Sequence, residues 1–99
     1  MSINSRKYRV SPKAENDLEE IWLYTLERWS LNQADKYHRE IVETFEQLAN
    51  GTKRGRETLI RKGYYKYRSG SHFVYFRYAD TELQIIRILH KSREPSLHL

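Results

Sequence analysis

The last third of the chain contains three short runs that are typical of β-strands separated by turns. The runs extend from Tyr64 to Arg68, from His72 to Tyr78 and from Leu83 to His90, and they are rich in aromatic and β-branched residues. The breaks, Ser69-Gly70-Ser71 and Ala79-Asp80-Thr81, consist of residues that favour tight turns. The pattern predicts an antiparallel meander. Such a sheet has an apolar face that must be covered, so the upstream residues must supply the cover.

The upstream half begins with a predicted strand and helix. Arg6 to Val10 alternates weakly and predicts a short first strand. Ser11-Pro12 is typical of a helix start, with Ser as the N-cap and Pro at the first helical position. The first helix is expected to run to about Trp29. Its apolar positions recur at helical spacing, which predicts one buried stripe: Ala14, Leu18, Ile21, Trp22, Thr25 and Trp29.

A second helix is predicted from about Gln33 to Ala49, with Asn32 as its cap and Asn50-Gly51 as its end. Its apolar stripe is Ala34, Tyr37, Ile41, Phe45 and Leu48. A short connection makes the two helices an antiparallel hairpin that packs on the sheet. We interpret the Trp and Tyr residues of the helices as core; the alternative is a base-stacking or cofactor surface.

The bulk properties limit the function classes. Ninety-nine residues predict one domain spanning 1–99, and the absence of cysteine excludes disulfides and thiolate sites. No apolar run approaches the ~20 residues of a membrane span, so we expect a cytoplasmic protein with no membrane partner. The positive charge is concentrated in one half. Residues 1–50 carry seven Lys/Arg against nine Asp/Glu, whereas residues 51–99 carry eleven against four, which favours an acidic partner for the second half.

Candidate chemistry is sparse. The four histidines have no metal-ligand spacing, so neither a metal site nor a cofactor is expected. A metal-free ribonuclease needs a base, an acid and cations, and His72 and His90 with nearby basic residues could supply them. The alternative interpretation is structural: Arg77 and Arg87 pair with acids across strands, and His72 is a hydrogen-bonding residue at a strand end.

The order strand, helix, helix, loop and three strands resembles the ParE-type toxins of the RelE/ParE superfamily, and the resemblance covers nearly the whole chain. It implies an α+β fold in which the helical hairpin packs on an antiparallel sheet of the three C-terminal strands plus strand one. The segments that carry the resemblance are Leu18–Ile21, Trp29, Ala34, Tyr37, Gly55-Arg56, Gly63–Tyr65, Gly70–Phe76, Ile86–Lys91, Pro95 and His98-Leu99.

The resemblance implies the toxin of a type II toxin–antitoxin system that inhibits DNA gyrase, blocks replication and is neutralised by a ParD-like antitoxin. Contact with DNA is expected only indirectly, through the antitoxin or gyrase, and no catalytic residue is expected. The candidate target-binding residues lie in the basic loop, which runs from Gly51 to Gly63, and at the end of the sheet: Arg54, Arg56, Arg61, Arg87, His90, Lys91 and Arg93. The candidate antitoxin-binding residues are Trp22, Trp29 and Tyr37.

Two alternatives remain open. The superfamily also contains ribosome-dependent mRNA endonucleases of the RelE type, and here His72, Arg93 and neighbouring lysines would act. The tail departs from that pattern because it contains no tyrosine, and it departs from the ParE pattern because Arg93-Glu94-Pro95 stands where many members have Met-Asp-Pro. The other alternative is a non-toxic member that only binds the antitoxin.

Overall fold

The computed structural model describes residues 7–99, and its elements follow the predicted order. They are β1 (Lys7–Val10), α1 (Pro12–Arg28), α2 (Leu31–Ala49), β2 (Arg56–Glu57), β3 (Tyr64–Ser69), β4 (His72–Tyr78), β5 (Glu82–His90) and a final 3-10 turn (Pro95–Leu97). Arg6, the predicted first residue of β1, lies outside the described residues. Within residues 7–99, no helix combines the length and apolar character needed to cross a membrane.

The predicted α+β class and the helical hairpin on a sheet are confirmed, but the expectation of a wholly antiparallel sheet is corrected at β1, and one further strand is present. The five strands have the order β1-β5-β4-β3-β2. All neighbours pair antiparallel except β1 and β5, which pair parallel, so the sheet is mixed. The additional strand, β2, has only two residues, opposite Lys66 and Tyr65. So short and polar a strand has no periodicity that a sequence pattern could reveal.

The helix starts follow serine caps. The Ser11 hydroxyl accepts a hydrogen bond from the Ala14 N–H at 3.0 Å, and Pro12 is the first helical residue, as predicted. The predicted cap of α2 is wrong: Ser30 is the cap, and its hydroxyl accepts from the Gln33 N–H at 3.1 Å. Serine and asparagine are both good cap residues. Ser30 is the cap because its backbone is extended, whereas Asn32 already lies within the helix.

The core lies between the helical hairpin and one face of the sheet. Every residue of the predicted α2 stripe is buried or half-buried. The α1 stripe is correct except for Trp29, whose 73% exposure contradicts its place in the core. The helix ends at Arg28, and the non-helical backbone of Trp29 takes it off the stripe. The buried core cluster is Ala14, Leu18, Ile41, Phe45, Leu48, Ala49, Val74, Phe76, Leu83, Ile85 and Ile88.

Candidate functional site

A buried ion pair fixes α1 to the centre of β5. The Arg87 guanidinium donates two hydrogen bonds to the Asp17 carboxylate, at 2.8 and 2.9 Å. The side chains of Arg87 and Asp17 are only 13% and 6% exposed. The hydrogen bonds to Asp17 raise the pKa of Arg87. Arg87 is therefore paired with an acid, as the structural interpretation expected, but the acid is on a helix and not on a neighbouring strand.

Side chains at the start of α1 also cover the part of the β5 edge that no strand pairs with. Strand β1 pairs with residues 82–85 only. Beyond it, the Ser11 hydroxyl donates to the Ile86 carbonyl at 2.7 Å, and Asp17 accepts from the Ile88 N–H at 2.9 Å. An open strand edge invites pairing with another chain, and here two side chains of the α1 segment occupy it.

A second polar network lies under the turn between β3 and β4. The Tyr37 hydroxyl is 2.7 Å from Nδ1 of His72, accepts from the Ser71 N–H at 3.0 Å and donates to the Ser69 carbonyl at 3.1 Å. Gly70 completes the turn with a φ of +60°, and a Cβ there would be 2.6 Å from the Tyr37 ring. Tyr37 therefore holds the turn and His72 together, and burial raises its pKa.

His72 is a hydrogen-bonding residue at a strand end, as the structural interpretation predicted. Burial, assisted by the neighbouring His90, lowers its pKa to about 4, while Asp17 opposes the shift. The two imidazoles meet edge to face with 5.3 Å between their centroids. Nδ1 of His90 is 2.7 Å from the Ser92 hydroxyl and 3.1 Å from the Ser92 N–H. His72 is therefore neutral at pH 7 and could accept a proton only weakly.

A cavity of about 420 Å³ lies between α1 and the end of β5. It brings His72, His90 and Arg93 together, and Ser92, Glu20 and Tyr24 also line it. The sequence interpretation missed Glu20 and Tyr24. Their sequence positions could have revealed them, because Glu20 and Tyr24 follow Asp17 by three and seven residues and so share its face of the helix. No group of three metal-ligating side chains occurs within residues 7–99.

The candidate target-binding residues form two separate groups. Arg54, Arg56 and Arg61 lie in or beside β2 at one edge of the sheet and are exposed. His90, Lys91 and Arg93 follow the end of β5 and are exposed too, with β4 and β3 between the groups. Arg87 belongs to neither surface because its guanidinium is engaged with Asp17. Target binding by these residues stays a prediction.

The candidate antitoxin-binding residues are also dispersed. The Trp22 indole N–H donates to Asp35 at 2.9 Å, and the ring lines an open groove of about 490 Å³ along the helical hairpin. The groove is also lined by Leu18, His38 and the acids Glu15, Glu19 and Asp35. Trp29 is exposed at the hairpin turn, whereas Tyr37 is engaged under the β3–β4 turn. Antitoxin binding by the three likewise stays a prediction.

Comparisons with known proteins agree with this architecture. The family described as "ParE toxin of type II toxin-antitoxin system, parDE" matches residues 8–95. Toxin ParE1 of Caulobacter vibrioides is 39% identical over 95% of this chain and 98% of its own. Toxin ParE1 of Mycobacterium tuberculosis is 35% identical over 96% and 99%. A solved structure described as the chromosomal ParDE TA system from P. aeruginosa superposes with a TM-score of 0.77 at 23% identity, over 88% of this chain and 97% of that one.

The structural match shows the fold. The two sequence matches cover almost the whole of this chain and almost the whole of each relative. The chain therefore belongs to the ParE family of toxins, which are components of type II toxin–antitoxin systems.

Proposed function

We propose that this toxin acts by binding DNA gyrase and inhibiting it, without covalent chemistry of its own. The observation that carries the proposal is the family match over residues 8–95, a range that includes both helices and the strands β2 to β5 in full. Gyrase inhibition is the activity that the ParE resemblance implies. The charge distribution supports an acidic target, because residues 51–99 hold the whole positive excess.

The basic loop is the better candidate for target contact. Hydrogen bonds fix its tip: Thr58 N–H donates to the Tyr64 carbonyl at 2.8 Å, and Ile60 N–H donates to the Thr58 hydroxyl at 2.9 Å. Leu59 at this tip is fully exposed. The loop thus presents an apolar side chain flanked by Arg56 and Arg61. An apolar anchor surrounded by charges is the arrangement that protein interfaces use.

A ParD-like antitoxin would cover the helical hairpin. Trp29 and Leu31 at the hairpin turn are 73% and 55% exposed, and Trp22 lines a groove along the same hairpin. Apolar surface of this kind suits an antitoxin segment that folds on binding. A toxin that binds gyrase and such an antitoxin would act in the cytoplasm.

Supercoiling by purified gyrase tests the proposal. We expect dose-dependent inhibition that the antitoxin relieves. The variant Arg54→Gln/Arg56→Gln/Arg61→Gln should need at least about ten times more protein, since charged contacts at an interface are worth one or more kcal/mol together. The control Lys13→Gln/Lys36→Gln/Arg39→Gln removes the same charge from exposed helix positions and should inhibit like the wild type. Equal losses in both variants would contradict a contact through the loop.

Ribosome-dependent mRNA cleavage is the second candidate, because one cavity gathers His72, His90 and Arg93. Arg93 could contact a phosphate there, and the two imidazoles are the groups that could move a proton, although His72 accepts one only weakly. Translating ribosomes with the purified protein distinguish the candidates: cut messages, lost in His90→Gln, would support the nuclease. Intact messages with inhibited supercoiling would reject it. A member that binds only the antitoxin would give neither effect.

A further inference from the structure

The face of the sheet opposite the helices carries basic and aromatic side chains, which are accessible on β2, β3 and the end of β4 and are buried near the middle of β4 and β5. Strand residues alternate between faces, and the helix side is fixed by core members such as Tyr65, Val74, Phe76 and Leu83. The alternate residues face away from the helices. They include Lys7, Arg9, Arg56, Tyr64, Lys66, Arg68, Phe73, Tyr75, Arg77, Glu82 and Gln84, and the register adds Arg87 and Leu89 opposite Tyr75 and Phe73.

The register concentrates the cations of this face around Lys66. Arg56 lies directly opposite Lys66 on the neighbouring strand, and Arg68 lies two residues along the same strand. Arg77 lies opposite Tyr64, two residues before Lys66. Like charges opposite one another destabilise a sheet, so the cluster costs stability unless an anion meets it.

Within the described residues 7–99, no carboxylate neutralises these four cations. The ion pairs among residues 7–99 are Arg87 with Asp17 and Arg9 with Glu82, so Arg56, Lys66, Arg68 and Arg77 have no carboxylate partner there. The tail meets the face only near β5. There the Arg87 guanidinium donates to the His98 carbonyl at 3.3 Å, and Glu94 adds to the burial that raises the pKa of Tyr75.

The aromatic rings of the face are already occupied. The Lys66 ammonium lies 4.9 Å from the Phe73 ring centroid, and the Arg61 guanidinium lies 4.9 Å from that of Tyr64. Tyr75 is only 3% exposed. Single-stranded nucleic acids bind through bases stacked on open aromatic rings. Cations cover two of these rings and the third is buried, whereas Arg56, Arg68 and Arg77 are exposed and Lys66 is half-buried. The face therefore suits phosphates whose bases are stacked inside a duplex.

We propose that this face binds the phosphate backbone of duplex DNA directly, with Arg56, Lys66, Arg68 and Arg77 as the contacts. Direct binding goes beyond the indirect DNA contact that the sequence led us to expect. It depends on neither gyrase nor the antitoxin. On a gyrase–DNA complex, it would place the toxin on the DNA segment beside the enzyme.

The test is fluorescence anisotropy of the full chain with a labelled 24-base-pair duplex between 50 and 200 mM salt. Four phosphate contacts predict a slope of log K against log salt of about −3.6, which is an affinity loss of about 150-fold over that range. Arg56→Gln/Lys66→Gln should make the slope shallower by about 1.8. The control Lys36→Gln/Arg39→Gln makes the same change in net charge on exposed α2 positions and should leave the slope unchanged.

Three outcomes would overturn the proposal. They are no binding at 50 mM salt, an equal change in both variants, and tighter binding to a single-stranded RNA of equal length than to the duplex. Circular dichroism and thermal melting of each variant show that the comparison is between folded proteins. Supercoiling inhibition is measured on the same samples, so a failure of DNA binding is distinguishable from a failure of gyrase inhibition.

Discussion

Replacing Asp17 with alanine should destabilise the protein more than any surface charge change. The substitution removes both hydrogen bonds to the Arg87 guanidinium and the acceptor of the Ile88 N–H. Breaking a buried ion pair costs about 3–5 kcal/mol because the remaining charge is left buried without a partner. Arg87 is 13% exposed and can reach some water, so we expect about 3 kcal/mol, the lower end of that range.

That loss is a large part of the stability of a domain of this size, which is about 5–15 kcal/mol. It corresponds to a Tm lower by about 12–24 °C. Urea unfolding followed by circular dichroism measures the free energy directly. Asp17→Asn separates the two contributions, because its amide oxygen can still accept from the Ile88 N–H while its charge is gone. We expect it to lie between the wild type and Asp17→Ala.

The other described ion pair provides the matched control. Arg9 and Glu82 are 3.3 Å apart, and the Arg9 side chain is 75% exposed. Exposed pairs contribute about 0–1 kcal/mol, so Arg9→Ala should cost less than about 1 kcal/mol. If Asp17→Ala destabilised the protein no more than Arg9→Ala, the assignment of Asp17 as the anchor between α1 and β5 would be refuted.

Three further changes test the second network and the helix start. Since the pKa of His72 is about 4 in the folded protein and 6.5 is its ordinary value, the unfolded chain binds the extra proton below pH 6.5, and stability falls as the pH decreases from about 6.5 towards 4. Between pH 7.5 and 5 the free energy of unfolding should fall by about 1–2 kcal/mol after allowance for partial exposure. Urea unfolding of His72→Gln at both pH values should show a smaller fall, and a fall equal to that of the wild type would contradict the burial of His72. Gly70→Ala should lower the unfolding free energy by about 2 kcal/mol or more, because it adds a clash to a left-handed backbone. Gly51→Ala is its control, with positive φ but nothing within 4 Å, and equal urea midpoints for the two would exclude a role for the Tyr37 contact. Ser30→Ala should cost about 1 kcal/mol by losing the α2 cap, and a thermal melt identical to that of the wild type would contradict the capping role.

The strand and helix pattern was predictable because it depends on local chemistry. Aromatic and β-branched runs on both sides of the turns at Gly70 and Asp80 define two hairpins, and Ser11-Pro12 defines a helix start. The α2 stripe was correct for the same reason: from Ala34 to Leu48 one periodicity holds without interruption. Trp29 shows the limit of this reasoning, since a single residue past the helix end no longer follows the stripe.

The site was less predictable because its contacts join residues far apart in sequence. Asp17 and Arg87 are 70 positions apart, and Tyr37 and His72 are 35 apart. Neither pair leaves a local signal. The parallel pairing of β1 with β5 depends on where the chain returns after the helical hairpin, and β2 is too short to show alternation. The separation of Arg54 from Arg93 likewise follows from strand order, which composition does not reveal.

We propose that the toxin acts on gyrase and does not cut RNA. The most direct test assays one preparation of folded protein on purified gyrase and on purified translating ribosomes, with and without the antitoxin. We predict that supercoiling is inhibited in proportion to dose, that the antitoxin restores it, and that the messages stay intact. Unaffected supercoiling together with cut messages would contradict the claim and would assign the activity to the cavity of His72, His90 and Arg93.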